Sequence, residues 1–161
     1  MVITKTLSPL DHSQTKTNES AETRKPQLLC IDDDPDIAQA LEMALSNLEI
    51  DLTCAFSGQQ GIWNALTNKP DLILTDWLMP NGSGEDLVTT LKRNKNTVDI
   101  PIVVLSCLGG GRQEQRLFSM GVDGFVQKPI SYATLISEIG RHITLPQIGF
   151  ASTQPDGNDD E

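Results

Sequence analysis

Short apolar runs alternate with longer segments of helical periodicity along this chain, and that alternation restricts the fold more than any other feature. The apolar runs predict strands near 27–31, 50–55, 71–75, 100–105 and 123–127. Helical patterns follow them near 35–48, 58–67, 83–94, 112–120 and 131–144. Five strand–helix pairs are typical of an α/β fold, in which helices cover both faces of one doubly wound, five-stranded parallel sheet.

Several predicted helices have recognisable start signals. Pro35 suits the first position of a helix, and Ser57, Ser83 and Ser131 are predicted N-caps. Three consecutive glycines at 109–111 stand where the fourth helix would begin. Each glycine costs roughly 1 kcal/mol of helix propensity relative to alanine. We therefore expect the fourth helix to begin late and its first amides to be poorly protected from hydrogen exchange.

The length and composition bound the domain organisation. A chain of 161 residues with 38% hydrophobic residues has room for one domain with a substantial core. Residues 27–144 are predicted to form that domain, between flexible tails at 1–26 and 145–161, the second of which is acidic. No apolar stretch approaches the roughly 18 residues of a membrane span, and the first residues do not form a signal sequence. These features predict a soluble, cytoplasmic protein.

The charge and the cysteine content exclude further classes of function. A formal net charge of −10 opposes binding to a phosphate backbone, so no nucleic-acid partner is expected. Three cysteines, an odd number, do not suggest a disulfide framework. Cys30 and Cys54 lie inside apolar runs, and we interpret them as buried, reduced thiols. Cys107 is interpreted as an inert small hydrophobic residue rather than a redox handle.

Four of the apolar runs end in polar residues that phosphate chemistry can use. Asp32 and Asp33 follow the first run, Asp76 the third, Ser106 the fourth and Lys128 the fifth. The carboxyl ends of parallel strands lie on one edge of a sheet, where open α/β sheets place ligands. The sequence therefore predicts that three carboxylates, a hydroxyl and an ammonium meet in one crevice. A divalent cation would relieve the repulsion between the carboxylates, and all-oxygen ligands suit Mg²⁺ or Mn²⁺.

Several short motifs occur together in this chain. They lie at residues 28–35, 71–76, 79–80, 82–84, 102–106 and 125–129. Their order and separations resemble those of the receiver domain of bacterial two-component response regulators, and the resemblance covers about residues 27–144. Any one motif alone would be weak, whereas the set is specific. The resemblance implies a flavodoxin-like sheet with the strand order 2-1-3-4-5.

The same resemblance implies a role for the polar residues of the crevice. Asp76 would be the phosphoryl acceptor, and Lys128 and Ser106 would stabilise the charge of the incoming group. Ser106 would then move toward the phosphoryl group and couple that motion to the aromatic ring of Phe125. The affected surface would comprise the fourth helix, the fifth strand and the fifth helix. The bond between Lys128 and Pro129 would be cis.

A metal site is also implied by the resemblance. Asp33, Asp76 and the backbone carbonyl of Leu78 would bind Mg²⁺ or Mn²⁺ directly, and Asp32 would hold the ion through water. Asp76 is ionised at neutral pH, so it needs no neighbouring base to attack phosphorus. What it needs is relief from the negative charge that the phosphoryl group brings.

The expected partners follow from such a site. A sensor histidine kinase or a histidine phosphotransfer protein would supply the phosphoryl group, and a downstream protein would recognise the changed surface. Only 17 residues follow residue 144, so we expect a stand-alone receiver without a DNA-binding or second catalytic domain. It would be a monomer or weak dimer with no membrane partner. It would promote its own phosphorylation and dephosphorylation without being a turnover enzyme.

Two alternative functions remain open at this point. Asp32 and Asp34 form an Asp-x-Asp motif after the first strand, which is typical of haloacid dehalogenase-type phosphate hydrolases with Asp32 as the nucleophile. A degenerate receiver would instead bind partners without phosphate. Among the other aspartates, Asp34 is interpreted as a helix cap, and Asp71 and Asp123 as turn residues.

Overall fold

A computed structural model describes residues 24–80, 82–107 and 110–145. Its main strands are β1 (Gln27–Ile31), β2 (Asp51–Ala55), β3 (Leu72–Asp76), β4 (Ile102–Ser106) and β5 (Gly124–Gln127). Its helices are α1 (Pro35–Leu45), α2 (Gly58–Asn68), α3 (Gly84–Arg93), α4 (Gly111–Ser119) and α5 (Tyr132–His142). The predicted tails lie outside the described residues, apart from 24–26 and 145. No helix among the described residues has the length and apolar character needed to cross a bilayer.

The five main strands form one parallel sheet in the order β2-β1-β3-β4-β5. This order confirms the predicted doubly wound α/β fold and the flavodoxin-like arrangement. A short antiparallel pair, Leu78–Met79 with Gly82–Ser83, separates β3 from α3. Because all five strands run in the same direction, their carboxyl ends share one edge of the sheet.

The core consists of two layers, one on each face of the sheet. Successive side chains of a strand point to opposite faces, so Leu28 packs toward α1 and α5 while Leu29 packs toward α2, α3 and α4. Strands β3 and β4 are buried along their whole length. A fully buried strand has apolar residues at consecutive positions, which explains the continuous apolar runs in the sequence.

Helix starts follow the predicted signals closely. Pro35 occupies the first turn of α1, whose N-cap Asp34 accepts a hydrogen bond from the backbone N–H of Asp36. Ser57 and Ser131 cap α2 and α5 by accepting backbone N–H bonds at 3.3 and 3.1 Å. These three caps are confirmed, whereas the side chain of Ser83 lies outside the described residues.

Helix ends differ from the predicted boundaries by up to three residues. The predicted end of α1 at residue 48 is wrong, because the helix stops at Leu45. The N–H of Leu48 then bonds the carbonyl of Leu45 in a tight turn. Leu48 still packs on the α1/α5 face of the sheet, so the apolar stripe continues beyond the helix. Helix α5 likewise ends at His142 rather than at 144, since Ile143 is already extended.

Two aspartates at the amino edge of the sheet anchor neighbouring strands. The Asp71 carboxylate accepts the backbone N–H of Gln27 at 2.8 Å and pairs with Arg24. The Asp123 carboxylate accepts the N–H of Ile102 at 2.9 Å and pairs with Lys92. Each aspartate directly precedes one strand and accepts the first N–H of the adjacent strand in the sheet, so it joins two strands in addition to the predicted role as a turn residue.

The start of α3 depends on a close approach that only glycine permits. A Cβ on Gly84 would lie 2.9 Å from the Cα and carbonyl oxygen of Trp77 and 2.8 Å from its ring. Backbone atoms cannot give way as a flexible side chain can. We therefore expect Gly84→Ala to lower the free energy of unfolding by about 1–3 kcal/mol, as overpacking does.

Urea unfolding measures the free energy of unfolding of Gly84→Ala and, separately, of the control variant Gly111→Ala. A Cβ on Gly111 meets nothing within 4 Å, so its replacement in α4 should be neutral or stabilising through helix propensity. Equal stability of the two variants would contradict the steric argument.

Helix α4 begins only at the last glycine of the run, as expected. Its N-cap position, Gly110, has φ of 137° and provides no side-chain cap. The N–H groups of the first turn therefore have no side-chain acceptor of the kind that Ser131 gives α5. Hydrogen exchange measured by NMR should show faster exchange at Gly111 and Arg112 than in the first turn of α5. Comparable protection in the two first turns would refute this expectation.

Candidate functional site

The carboxyl edge of the sheet gathers polar side chains from four strands. Asp32 follows β1, Asp76 ends β3, Ser106 ends β4 and Lys128 follows β5. Asp32, Asp76 and Ser106 are buried. Asp33, next to Asp32, is exposed. The parallel topology thus places all five predicted residues at one edge, with Asp33 on its outer side.

Lys128 lies between two buried carboxylates. Its Nζ is 2.9 Å from Oδ2 of Asp32 and 2.9 Å from Oδ1 of Asp76. The side chains of Asp32 and Asp76 are only 3% and 10% exposed, and that of Lys128 is 18% exposed. Two negative charges so poorly hydrated require a counterion. In this arrangement the ammonium is that counterion.

The second oxygen of each carboxylate is held by the backbone. Oδ1 of Asp32 accepts the N–H of Asp34 at 3.0 Å, and Oδ2 of Asp76 accepts the N–H of Leu78 at 2.8 Å. Every carboxylate oxygen of Asp32 and Asp76 therefore has a hydrogen-bond donor. These bonds fix the orientation of both groups.

The environment of Lys128 favours its charged form. Burial alone would lower the pKa of Lys128, but the hydrogen bonds to Asp32 and Asp76, together with their negative charges, outweigh burial and raise it. The ammonium is therefore fully charged at neutral pH.

The backbone between β4 and β5 aims the lysine. The N–H of Lys128 donates to the carbonyl of Ser106 at 2.8 Å, which extends the β4–β5 ladder to the site. The following peptide bond, Lys128–Pro129, is cis, as the resemblance implied. Phe125 is partly buried and packs on the α2–α4 face of the sheet. Ser106 and Phe125 thus lie on neighbouring strands.

Sequence reasoning missed the residue that anchors the segment after Asp76. Trp77 is 7% exposed, donates its N–H to the carbonyl of Leu105 and accepts the N–H of Gly84. Leu78 beside it is 57% exposed. A tryptophan directly after the strand was the available signal, because a large aromatic residue in a tight connection usually packs inward.

Comparison with known proteins decides the family. The model of the response regulator receiver domain matches residues 28–140. This chain belongs to the response regulator receiver family. The Phosphate regulon transcriptional regulatory protein PhoB of Pseudomonas aeruginosa is 34% identical to it over 112 residues, which are 70% of this chain and 49% of that protein. The DNA-binding dual master transcriptional regulator RpaA of Synechocystis is 31% identical over 114 residues, 71% of this chain and 47% of that protein.

Solved structures agree with the fold of the receiver. The receiver domain of the Francisella response regulator 1452 has a TM-score of 0.67 and 32% identity, covering 73% of this chain and 95% of that one. Chemotaxis protein CheY4 of Vibrio cholerae has a TM-score of 0.70 and 23% identity, covering 74% of this chain and 99% of that one. At 23% identity, the likeness to CheY4 shows the fold alone. The receiver spans about half the length of the curated relatives it matches.

The donor set of the receiver suits a small divalent cation. The carboxylates of Asp32, Asp33 and Asp76 stand at one edge, and the backbone of Leu78 is already in contact with Asp76. These are oxygen donors, which Mg²⁺ and Mn²⁺ prefer. Across residues 24–80, 82–107 and 110–145, no three His, Cys, Asp or Glu side chains are close enough together to form a ready metal cage.

Removing the ammonium should destabilise the receiver strongly. Lys128→Met would leave two buried carboxylates without a counterion, which costs about 3–5 kcal/mol when one partner of a buried pair is lost. Urea unfolding in a chelator is the measurement. Adding Asp76→Asn to Lys128→Met should recover part of the loss, because one of the two charges is then gone.

An exposed ion pair in the same receiver is the matched control. Arg116 pairs with Glu85 at 2.6 Å, and their side chains are 57% and 42% exposed. Arg116→Met should cost no more than about 1 kcal/mol. Similar losses for the lysine and arginine variants would contradict the counterion role of Lys128.

Proposed function

We propose that this receiver accepts a phosphoryl group on Asp76 from a phosphohistidine donor, in a reaction that depends on Mg²⁺ or Mn²⁺. It then signals by changing a protein-binding surface. One observation carries the proposal: a buried aspartate at the end of β3 shares its lysine counterion with the aspartate after β1. Membership of the receiver family supports phosphorelay signalling as the context.

The choice of Asp76 over Asp32 rests on the contacts of the neighbouring residues. Asp76 is 7% exposed, and the segment beyond it is open at Leu78, which is 57% exposed. Asp32 is only 3% exposed, and, as in Asp76, one of its oxygens accepts a backbone N–H, here that of Asp34. Asp76 is therefore the better placed of the two to meet a donor from solvent.

The proposed step is a transfer of phosphorus from nitrogen to oxygen. A carboxylate oxygen of Asp76 forms the new O–P bond while the P–N bond to the donor imidazole breaks. The electron pair of that bond leaves with the ring nitrogen, which takes a proton from water. Lys128 offers its positive charge to the phosphoryl oxygens, and the Ser106 hydroxyl offers a hydrogen-bond donor.

A divalent cation would supply the remaining charge neutralisation at this edge. Asp33, Asp76 and the carbonyl of Leu78 are the residues proposed to hold it, with Asp32 acting through water. Lys128 would then be free to follow the phosphoryl group, because the cation takes over the compensation of Asp32.

The proposed output surface comprises α4, β5 and α5. Ser106 ends β4, the strand next to β5 and its Phe125, so a shift of Ser106 toward a phosphoryl group would reach the ring of Phe125. Phe118 on α4 and Tyr132 on α5 are 50% and 58% exposed and offer apolar contact to a downstream protein.

The proposed partners are a sensor histidine kinase or a histidine phosphotransfer protein and a downstream protein target. We propose action in the cytoplasm as a monomer or weak dimer, without a membrane or nucleic-acid partner for this receiver. The regulators PhoB and RpaA are transcriptional regulators by name. The receiver matches about half of each, so the DNA binding in the name of RpaA is not carried over to it.

A hydrolase that uses Asp32 is the second candidate, and the contacts of Asp34 count against it. The Asp34 side chain, the second aspartate of the Asp-x-Asp motif, accepts the N–H of Asp36 as the N-cap of α1. The third candidate, a degenerate receiver, is disfavoured because Asp32, Asp33, Asp76, Ser106 and Lys128 are all present. We do not propose turnover catalysis.

Mass spectrometry after exposure to a small phosphodonor and Mg²⁺ tests the acceptor. We expect the wild-type chain to gain one phosphoryl group, lost on treatment with hydroxylamine as an acyl phosphate is, and mapped to the peptide that contains Asp76. Asp76→Ala should remain unlabelled. A chelator should abolish labelling of the wild type.

Asp32→Asn and Lys128→Met serve as comparison variants in the same experiment. Both retain the acceptor, so label should still map to Asp76, at a rate lowered at least tenfold by the loss of charge compensation. Label on Asp32, or repeated release of phosphate that depends on Asp32, would favour the hydrolase instead. No label on any aspartate would favour the degenerate receiver.

A further inference from the structure

Two cysteines lie side by side on β2, the edge strand of the sheet, and on its neighbour β1. Cys30 in β1 and Cys54 in β2 are register partners in the parallel ladder, and the two thiols lie near enough to shift each other's pKa. Both thiols are free. Neighbouring strands lie about 4.8 Å apart, within the range of roughly 4.4–6.8 Å that separates the Cα atoms of disulfide-bonded cysteines. The backbone therefore already has the spacing of a disulfide.

The two thiols differ in their access to solvent. Cys30 is 1% exposed and belongs to the core between the sheet and helices α1 and α5. Cys54 is half-buried, packs against the same core, and lies in β2, the strand at the edge of the sheet. Both side chains therefore point to one face of the sheet, and a small solute can reach the outer one.

We propose that Cys30 and Cys54 form a redox-active dithiol that a hydroperoxide closes reversibly to a disulfide. This site lies outside the proposed phosphoryl chemistry and does not depend on it. The interpretation of both residues as buried, reduced thiols is confirmed for the burial of Cys30, whereas Cys54 is only half-buried. Their pairing across β1 and β2 is what gives them a joint chemistry.

The oxidation balances with hydrogen peroxide as the two-electron oxidant. The Cys54 thiolate attacks one peroxide oxygen, the O–O bond breaks, and Cys54 becomes a sulfenic acid while hydroxide leaves. The Cys30 sulfur then attacks the Cys54 sulfur, the S–O bond breaks, and the hydroxyl leaves as water with the thiol proton. In sum, two thiols and one peroxide give one disulfide and two waters. A dithiol reductant reverses the step by exchange.

The local environment supports Cys54 as the first sulfur to react. Its hydrogen bond with Cys30 lowers the pKa of the Cys54 thiol, against the opposing effects of partial burial and the negative charge of Glu42 on α1. A lowered pKa increases the fraction of thiolate, which is the nucleophile. The same sulfur is the more exposed of the two.

The third cysteine provides an internal contrast. Cys107 is exposed and follows β4, so β3 separates it from Cys30 in the sheet. It is accessible to peroxide, but the sheet order keeps it from the other two thiols. It would be oxidised without closing an intramolecular disulfide.

The experiment uses the folded full chain carrying Cys107→Ser, which leaves only the proposed pair. The protein is treated with hydrogen peroxide in slight excess, quenched, denatured and alkylated, and its intact mass and peptides are measured. We expect a loss of about 2 Da, the two thiol hydrogens, with no alkylation and a cross-linked peptide that joins Cys30 to Cys54. Treatment with a dithiol reductant should restore two alkylatable thiols.

Two further measurements show whether disulfide formation depends on the folded sheet, and a folding check accompanies each variant. The same treatment in urea should lower the yield of the disulfide severalfold, because the register that brings the sulfurs together is lost. In Cys30→Ser/Cys107→Ser, Cys54 should be oxidised to sulfenic and then sulfinic acid, with no disulfide within the chain. Circular dichroism establishes that each variant is folded.

Two outcomes would overturn the proposal. In the first, both thiols of folded Cys107→Ser remain alkylatable at a peroxide dose that oxidises Cys107 in the wild type. In the second, the disulfide forms as readily in urea as in the folded chain, which would show that the sheet does not favour it.

Discussion

A single ammonium group between two buried carboxylates underlies the arrangement of the functional edge. Asp32 and Asp76 arrive there from neighbouring strands, and both are almost fully withdrawn from water. Without Lys128 the repulsion between these two poorly hydrated charges would have no compensation and would push the strand ends apart. The lysine comes from the far end of the fold, 96 residues after Asp32. The site therefore exists only when β1, β3 and β5 are assembled.

The same residue type serves two different purposes at the two edges of the sheet. At the amino edge, Asp71 and Asp123 each bind the first amide of a strand and a cation of their own, and their side chains are 30% and 40% exposed. At the carboxyl edge, Asp32 and Asp76 are buried and share one cation. The chemical site differs because its carboxylates are buried and share one cation. A carboxylate that keeps contact with water gains little energy from an ion pair and does not depend on it.

Much of this description could be predicted from the sequence, and the reasons are physical. Buried parallel strands require continuous apolar runs, so the sequence predicted β3 and β4 as strands. The polar residues that end these runs indicated the carboxyl edge of the sheet. Strand order came only from the family resemblance, since apolar periodicity carries no information about which strands are neighbours. The end of α1 was misplaced because Leu48 continues the apolar stripe in a turn that the pattern does not distinguish from helix.

The partners of individual side chains were beyond the sequence for a different reason. The anchoring contacts of Asp71 and Asp123 join residues 44 and 21 positions apart, and only the assembled sheet determines them. The backbone bonds of Trp77 to Leu105 and Gly84 and the pairing of Cys30 with Cys54 depend on tertiary structure in the same way. Residue type revealed what each group can do, whereas topology decided what it meets.

The contact between Gly84 and the chain at Trp77 has a consequence for anyone who redesigns this protein. Two of the three atoms nearest to the absent Cβ belong to the main chain of residue 77. Trimming the indole would therefore not make room for a side chain at residue 84. The first residue of α3 must therefore stay without a side chain in every descendant of this sequence, whatever residue stands at position 77.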